Sequence, residues 1–263
     1  MTTRADDPAA PVPTAAPPAG AGADAAEVPA EVTGQDAADA VEVLGLVAAL
    51  EHRAFVRLAA DTAQAPDVEQ ALALSRFAAA CTGRRDRVLA RIDELGGDPV
   101  AALARFDQVL DEFDDRTPSS TWWERLLKAY VGYGVADDFC RLASRGLDPR
   151  SRDLVAELLE DASHAELVVR ELDRACADDE VLTSRLALWG RRLVGEALNV
   201  VQRVVQQRPG VARAVDRATA DEPVPTSAQT APVADVPAQA PARVINELTA
   251  EHTRRMSRLH LTA

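Results

Sequence analysis

Ionisable side chains interrupt apolar helical stripes at five places in this chain, and each could ligate a metal, move a proton or form a buried ion pair. Leu44, Val47, Ala48, Phe55 and Leu58 recur at helical spacing with Glu51 among them. Leu74, Phe77, Cys81, Val88, Ile92 and Leu95 enclose Arg84, and Leu127, Val131, Gly134 and Leu142 enclose Asp138. Leu154, Leu158, Ala165, Val168 and Leu172 enclose Asp161, with His164 one turn further on. Leu186, Trp189, Leu193, Val200 and Val204 enclose Glu196. A lone buried charge is costly, so such groups persist when paired, hydrogen-bonded or metal-bound. One interruption would be an ordinary boundary residue. Five at similar depth predict a shared polar centre. Asp161 and His164 stand at i and i+3, so both could reach one metal ion.

Five long amphipathic patterns must position these residues. They run from about Asp36 to Ala65, from an Asp67 cap to Leu95, from a Ser119 or Ser120 cap to near Gly146, from Pro149 to about Asp178, and from Glu180 to Gln207. A shorter stretch covers roughly Val100–Asp114. No strand-like alternation competes, and short connections between long helices predict antiparallel neighbours. Of the 16 prolines, six fall in residues 1–35 and five in 219–242. Both segments are acidic and poor in large apolar residues, which predicts a disordered arm and a disordered linker on either side of a bundle over 36–210. The remaining prolines, among them Pro66 and Pro209, stand singly at expected helix ends. Residues 243–263 predict one more amphipathic helix, with Val244, Leu248, His252 and Met256 on one face. A helix this short needs a surface to dock on, either the bundle or a partner.

Carboxylates from two helices and a carboxylate-x-x-His pair from each of two others make up the di-iron arrangement of ferritin-like bundles. The chain resembles actinobacterial ferritin-like proteins related to the tRNA methylthio-isopentenyl-adenosine hydroxylase (MiaE-like). LEHRAF at Leu50–Phe55, STWWERLLKAYVGYGVADDF at Ser120–Phe139, DASHAEL at Asp161–Leu167, RLALWGRRLVGEAL at Arg185–Leu198 and AEHTRRM at Ala250–Met256 carry the resemblance. It implies an all-α fold: a ferritin-like antiparallel four-helix bundle with a fifth long helix and a C-terminal helix. It also implies one or two iron ions, with Glu51, Asp138, Asp161 and His164 in the ligand positions. The departure lies in the second helix. The family pattern calls for Glu-x-x-His, and this chain has Cys81 and Arg84 there. A thiolate binds metal, but guanidinium stays protonated and offers no lone pair.

Two readings of the centre follow. In one, Arg84 neutralises Glu51, Asp138, Asp161 and Glu196 as a salt-bridge network that needs no metal. In the other, Arg84 reaches the surface and Glu51, Asp138, Asp161 and His164 hold a single metal ion. The first suits a structural or partner-binding bundle. The second keeps open an iron-dependent, oxygen-activating hydroxylase, the only enzyme class the resemblance implies. Cys81 and Glu196 are weaker ligand candidates in either case.

Other residues have plainer readings. Asp137 reads as a solvated neighbour of Asp138, Trp122 and Trp123 as packing residues, and Cys140 and Cys176 as small apolar fillers. His252 and His260 have no ligand set in sequence. Arg84, Arg85, Arg87 and Arg91 alternate with acids as a solvated face would. The net charge is −13, of which −8 falls in 36–218, so a large nucleic-acid footprint is not expected. An odd count of three cysteines and an N-terminus without a signal-like apolar run point to a cytoplasmic protein. Membrane association is not expected. A protein partner, or a second copy of the chain, would be met through the C-terminal helix.

Overall fold

The computed structural model describes residues 34–160, 163–220 and 239–262. The expected arm up to residue 33, the greater part of the expected linker (221–238) and Asp161 lie outside the described residues. Those described are helical or in turns, with no strand. None of their helices is long and apolar enough to cross a membrane.

Helix α1 (Gly34–Thr62) and helix α2 (Val68–Glu94) pack along their lengths across a short connection. Asp67 starts α2 as expected, accepting from the Gln70 backbone N–H at 2.8 Å. The stretch expected as one helix over 100–114 divides into α3 (Pro99–Ala104) and α4 (Asp111–Arg116). Consecutive turns between them bury both Phe106 and Leu110. Thr121, and neither of the two serines, caps the third long helix. Its hydroxyl accepts from the Glu124 N–H while the Glu124 carboxylate accepts from the Thr121 N–H, a reciprocal capping box.

That third helix contains α5 (Trp122–Leu127), a π segment (Lys128–Gly132) and α6 (Tyr133–Ser144). The Tyr133 N–H donates to the Lys128 carbonyl five residues back. Lys128 is buried, its ammonium donating to the Thr117 carbonyl at 2.9 Å and pairing with Asp114 at 2.7 Å. The fourth helix, expected as one over 149–178, is broken into α7 (Pro149–Leu158) and α8 (Ser163–Cys176). Arg141 of α6 donates to the Leu159 carbonyl at 2.8 Å, satisfying an acceptor that the end of α7 leaves open. Helix α9 (Glu180–Gln207) follows, capped by Asp179.

Pro209 and Gly210 close α9 and at once open another helix, α10 (Pro209–Ala220), so the bundle extends past the expected boundary at 210. Proline fits the first helical position, where its missing N–H is no loss. The α10 residues Val211, Ala214 and Val215 are buried against α1, α6 and α9. Asp39 of α1 is fully buried beneath α10, accepting from Arg213 Nε at 3.1 Å and Arg217 Nη1 at 3.0 Å. Burial opposes its ionisation, and the two arginines and Gln35 outweigh that, holding its carboxyl below the usual value. Arg91, expected on a solvated face, is also buried, donating to Ser151 at 3.1 Å and Asp148 at 3.0 Å.

Helix α11 (Gln239–Arg258) docks back on the bundle, against α6, α9, α10 and the π segment. Val244, Leu248, His252 and Met256 are buried, as their spacing predicts. Two glycines seat it. A Cβ on Gly134 would fall 2.6 Å from Arg255 Nε, and one on Gly190 would fall 2.5 Å from the Met256 methyl carbon. Three of the sequence segments singled out above therefore meet at one docking surface.

Candidate functional site

The buried apolar residues form two clusters, a large one through the bundle and a smaller one of Leu58, Leu74, Ala78, Cys81 and Leu167. A cavity of about 570 Å³ borders both, and Glu51, Cys81, Arg84, Asp137, Asp138 and His164 all line it. It is within the size range of small-molecule pockets.

Glu51 and Arg84 meet across the α1–α2 interface. Arg84 Nε donates to Glu51 Oε1 at 2.9 Å, and Arg84 Nη2 donates to Cys81 Sγ at 3.2 Å. The arginine therefore lies inside the bundle instead of reaching out to solvent. Glu51 Oε2 is buried with no hydrogen-bond partner among the described residues. Burial first, then the Glu51 charge, push the Cys81 thiol up to about 12, so it stays protonated and a poor metal ligand.

Asp138 is held on the flank of the cavity. Arg141 Nη1 lies 3.1 Å from its Oδ1, and Arg255 Nη1 of α11 lies 2.6 Å from its Oδ2. Asp137, the residue expected to be a solvated neighbour, lines the cavity beside Glu51 as Asp138 does. Asp137 is exposed to the solvent of the cavity, yet enough protein surrounds it for desolvation to act on its carboxyl. Burial first, then the Glu51 charge, raise its pKa to about 7, against the pull of Arg255. Two features account for the difference. The third helix is buried on both sides, so its apolar stripe marks one packed face and leaves the cavity face unmarked. The π segment also rotates less per residue than an α-helix, offsetting the stripes on its two sides. Tyr130, Tyr133, Gly134, Asp137 and Arg141 recur at helical spacing along the cavity wall, to which Ala129, Ala136, Asp138 and Cys140 of the same helix also contribute. The π segment, closed by a buried lysine, is the local signal that could have marked this face.

His164 lines the cavity edge-on to Phe77, with ring centroids 5.4 Å apart. Asp161, expected beside it, lies outside the described residues. Glu196 is not in the cavity. It pairs with Arg116 near α4 at 3.4 Å, because α9 turns that side of its stripe toward α4. Cys140 lines the cavity as a buried thiol, and Cys176 is half-buried elsewhere. Trp122 and Trp123 pack on the large cluster. His252, assigned no chemistry, is buried in α11, and neither ring nitrogen has a hydrogen-bond partner among the described residues.

The described residues do not fit a di-iron centre. A guanidinium and a protonated thiol hold the second-helix positions, one oxygen of Glu51 is taken by Arg84, and both oxygens of Asp138 face arginines. No group of three or more His, Cys, Asp or Glu among them is placed to hold a metal ion.

Long helices around a central polar site with contributions from α1, α2, α6 and α8 define a ferritin-like helical bundle. Residues 35–217 match the family model of the ferritin-like domain of actinomycetes, and the chain belongs to that family. No curated protein matches the chain.

Proposed function

We propose that this protein is a ferritin-like bundle whose metal centre has been replaced by an arginine–carboxylate centre, and that it works by binding and not by activating oxygen. The observation that carries this reading is the Arg84 guanidinium, seated on Glu51 at 2.9 Å and Cys81 at 3.2 Å where the family pattern calls for two ligands. Fixed positive charge there neutralises the Glu51 carboxylate and competes with a cation for the same oxygen. Arg255 does the same for Asp138 from α11.

Metal content per chain, measured by elemental mass spectrometry after expression with ample iron and manganese, tests the reading. Near zero is expected, and Arg84→Ala is expected to lose about 2–3 kcal/mol of stability with no metal added. That figure is reduced from a fully buried pair because Arg84 borders the cavity. Two equivalents of iron, or a melting temperature unchanged in Arg84→Ala, would overturn it. A gain-of-function variant complements the loss: Cys81→Glu with Arg84→His rebuilds Glu-x-x-His and is expected to take up iron.

The second reading is the iron-dependent hydroxylase that the MiaE-like resemblance implies. One observation favours it: Glu51, Asp137, Asp138 and His164 line a single cavity with room for a substrate. Iron bound to the unaltered chain would decide in its favour.

A further inference from the structure

Among the described residues that line the cavity, one arginine and two carboxylates, Asp137 and Glu160, are left outside its ion pairs. Arg84 is tied to Glu51, Arg141 and Arg255 to Asp138, Arg254 to Glu251, and Arg57 to Asp61. Arg258, on the last turn of α11, also lines the cavity and forms no ion pair among the described residues. Beside it stands Tyr130 of the π segment, only 5% exposed, its hydroxyl buried and without a hydrogen-bond partner among the described residues. Buried polar groups are nearly always paired, so this hydroxyl marks a missing acceptor. The charges of Arg258 and Arg255 both act on it. Among the charged residues of α1 and α2 that line the cavity lies an apolar patch: Ala54 and Leu58 of α1 and Phe77 of α2. Helix α11 has its main contacts with α6, α9, α10 and the π segment, so the cavity separates the Arg258 side from this apolar wall.

We propose that the cavity binds a small amphipathic carboxylic acid, its carboxylate accepting from Arg258 and the Tyr130 hydroxyl and its apolar body lying against Phe77, Leu58 and Ala54. A monoanion matches one unpaired guanidinium and one neutral hydroxyl. A dianionic phosphate would bring a second negative charge close to Asp137 and Glu160, which line the same cavity. The ligand satisfies Tyr130, neutralises Arg258 and fills volume between two apolar clusters, so binding ties α11 to α1 and α2. The inference rests on the arginine–carboxylate centre, since it needs the cavity free of metal.

Calorimetric titration of the full chain with phenylbutyrate, phenylbutanol, phenylbutylamine and phenyl phosphate tests it. The acid is expected to bind at least about tenfold more tightly than the alcohol or the amine, the usual scale of one charged hydrogen bond. Arg258→Met is expected to remove that preference. Tyr130→Phe, which deletes a single unpartnered oxygen, is expected to weaken the acid severalfold without lowering the melting temperature. Equal binding of acid and alcohol, unaltered binding by Arg258→Met, no binding of the acid, or tighter binding of phenyl phosphate would each overturn the proposal. Metal content of the same samples separates the two readings: bound metal defeats the arginine–carboxylate centre, whereas Arg258-independent binding to metal-free protein defeats only this inference.

Discussion

A guanidinium carries five donors and no lone pair, so at position 84 it satisfies carboxylates without accepting anything in return. Glu51 and Arg84 consequently form a directional pair across α1 and α2, with one Glu51 oxygen left facing the cavity. Asp137 has no such partner among the described residues, and desolvation by the surrounding protein, then the Glu51 charge, raises its pKa to about 7. A carboxyl raised above its ordinary 3.8 is bound more tightly to its proton in the fold than in the unfolded chain. Its contribution is therefore complete below about pH 4 and is lost as pH rises toward 7. Asp137→Asn is expected to match the parent in stability at pH 4 and exceed it at pH 8, read from urea midpoints at the two pH values. Asp137 was hidden from the sequence because its neighbour Asp138 occupies the position that an uninterrupted helix predicts. Glu51 and Arg84 were legible because each interrupts a stripe on a regular α-helix.

Helix α11 illustrates what one element adds. Its apolar face is plain from spacing, yet only the docked helix puts Arg255 on Asp138 and Met256 over Gly190. His252 is buried on that face, and burial followed by the Arg255 charge lowers its pKa to about 4. Between pH 6.5 and 4 the unfolded chain binds a proton that the docked helix refuses, so stability falls as pH falls through that window. The loss approaches about 3 kcal/mol at its limit. Protection factors across 244–259, with the pH dependence of intrinsic amide exchange divided out, are expected to be lower at pH 5 than at pH 7.5, and His252→Leu is expected to abolish the difference. The broken fourth helix and the divided 100–114 stretch were not legible. Their sequences are helical throughout, and the breaks answer to tertiary partners such as Arg141 and the burial of Phe106.

At the scale of the molecule, α10 joins distant parts of the chain, because Asp39 near the start of α1 is buried under Arg213 and Arg217. Asp39→Ala leaves both arginines facing an apolar contact. It is expected to cost about 2–3 kcal/mol in chemical denaturation, less than a fully buried pair because both arginines keep solvent contact. Arg213→Ala is expected to cost less, since Arg217 still serves the carboxylate. Periodicity, proline placement and capping residues by themselves determined that the chain is a bundle of long helices with polar residues at its centre, and which face α11 buries. Those are local properties, written in spacings of three and four residues. Tertiary structure alone decided that Asp137 joins Asp138 on the cavity wall, that Glu196 belongs to α4, that α10 closes over α1, and that, among the described residues, an arginine without an ion pair and a tyrosine without a hydrogen bond share one space. Each depends on which helix lies opposite, and spacing along one helix carries no information about its neighbour.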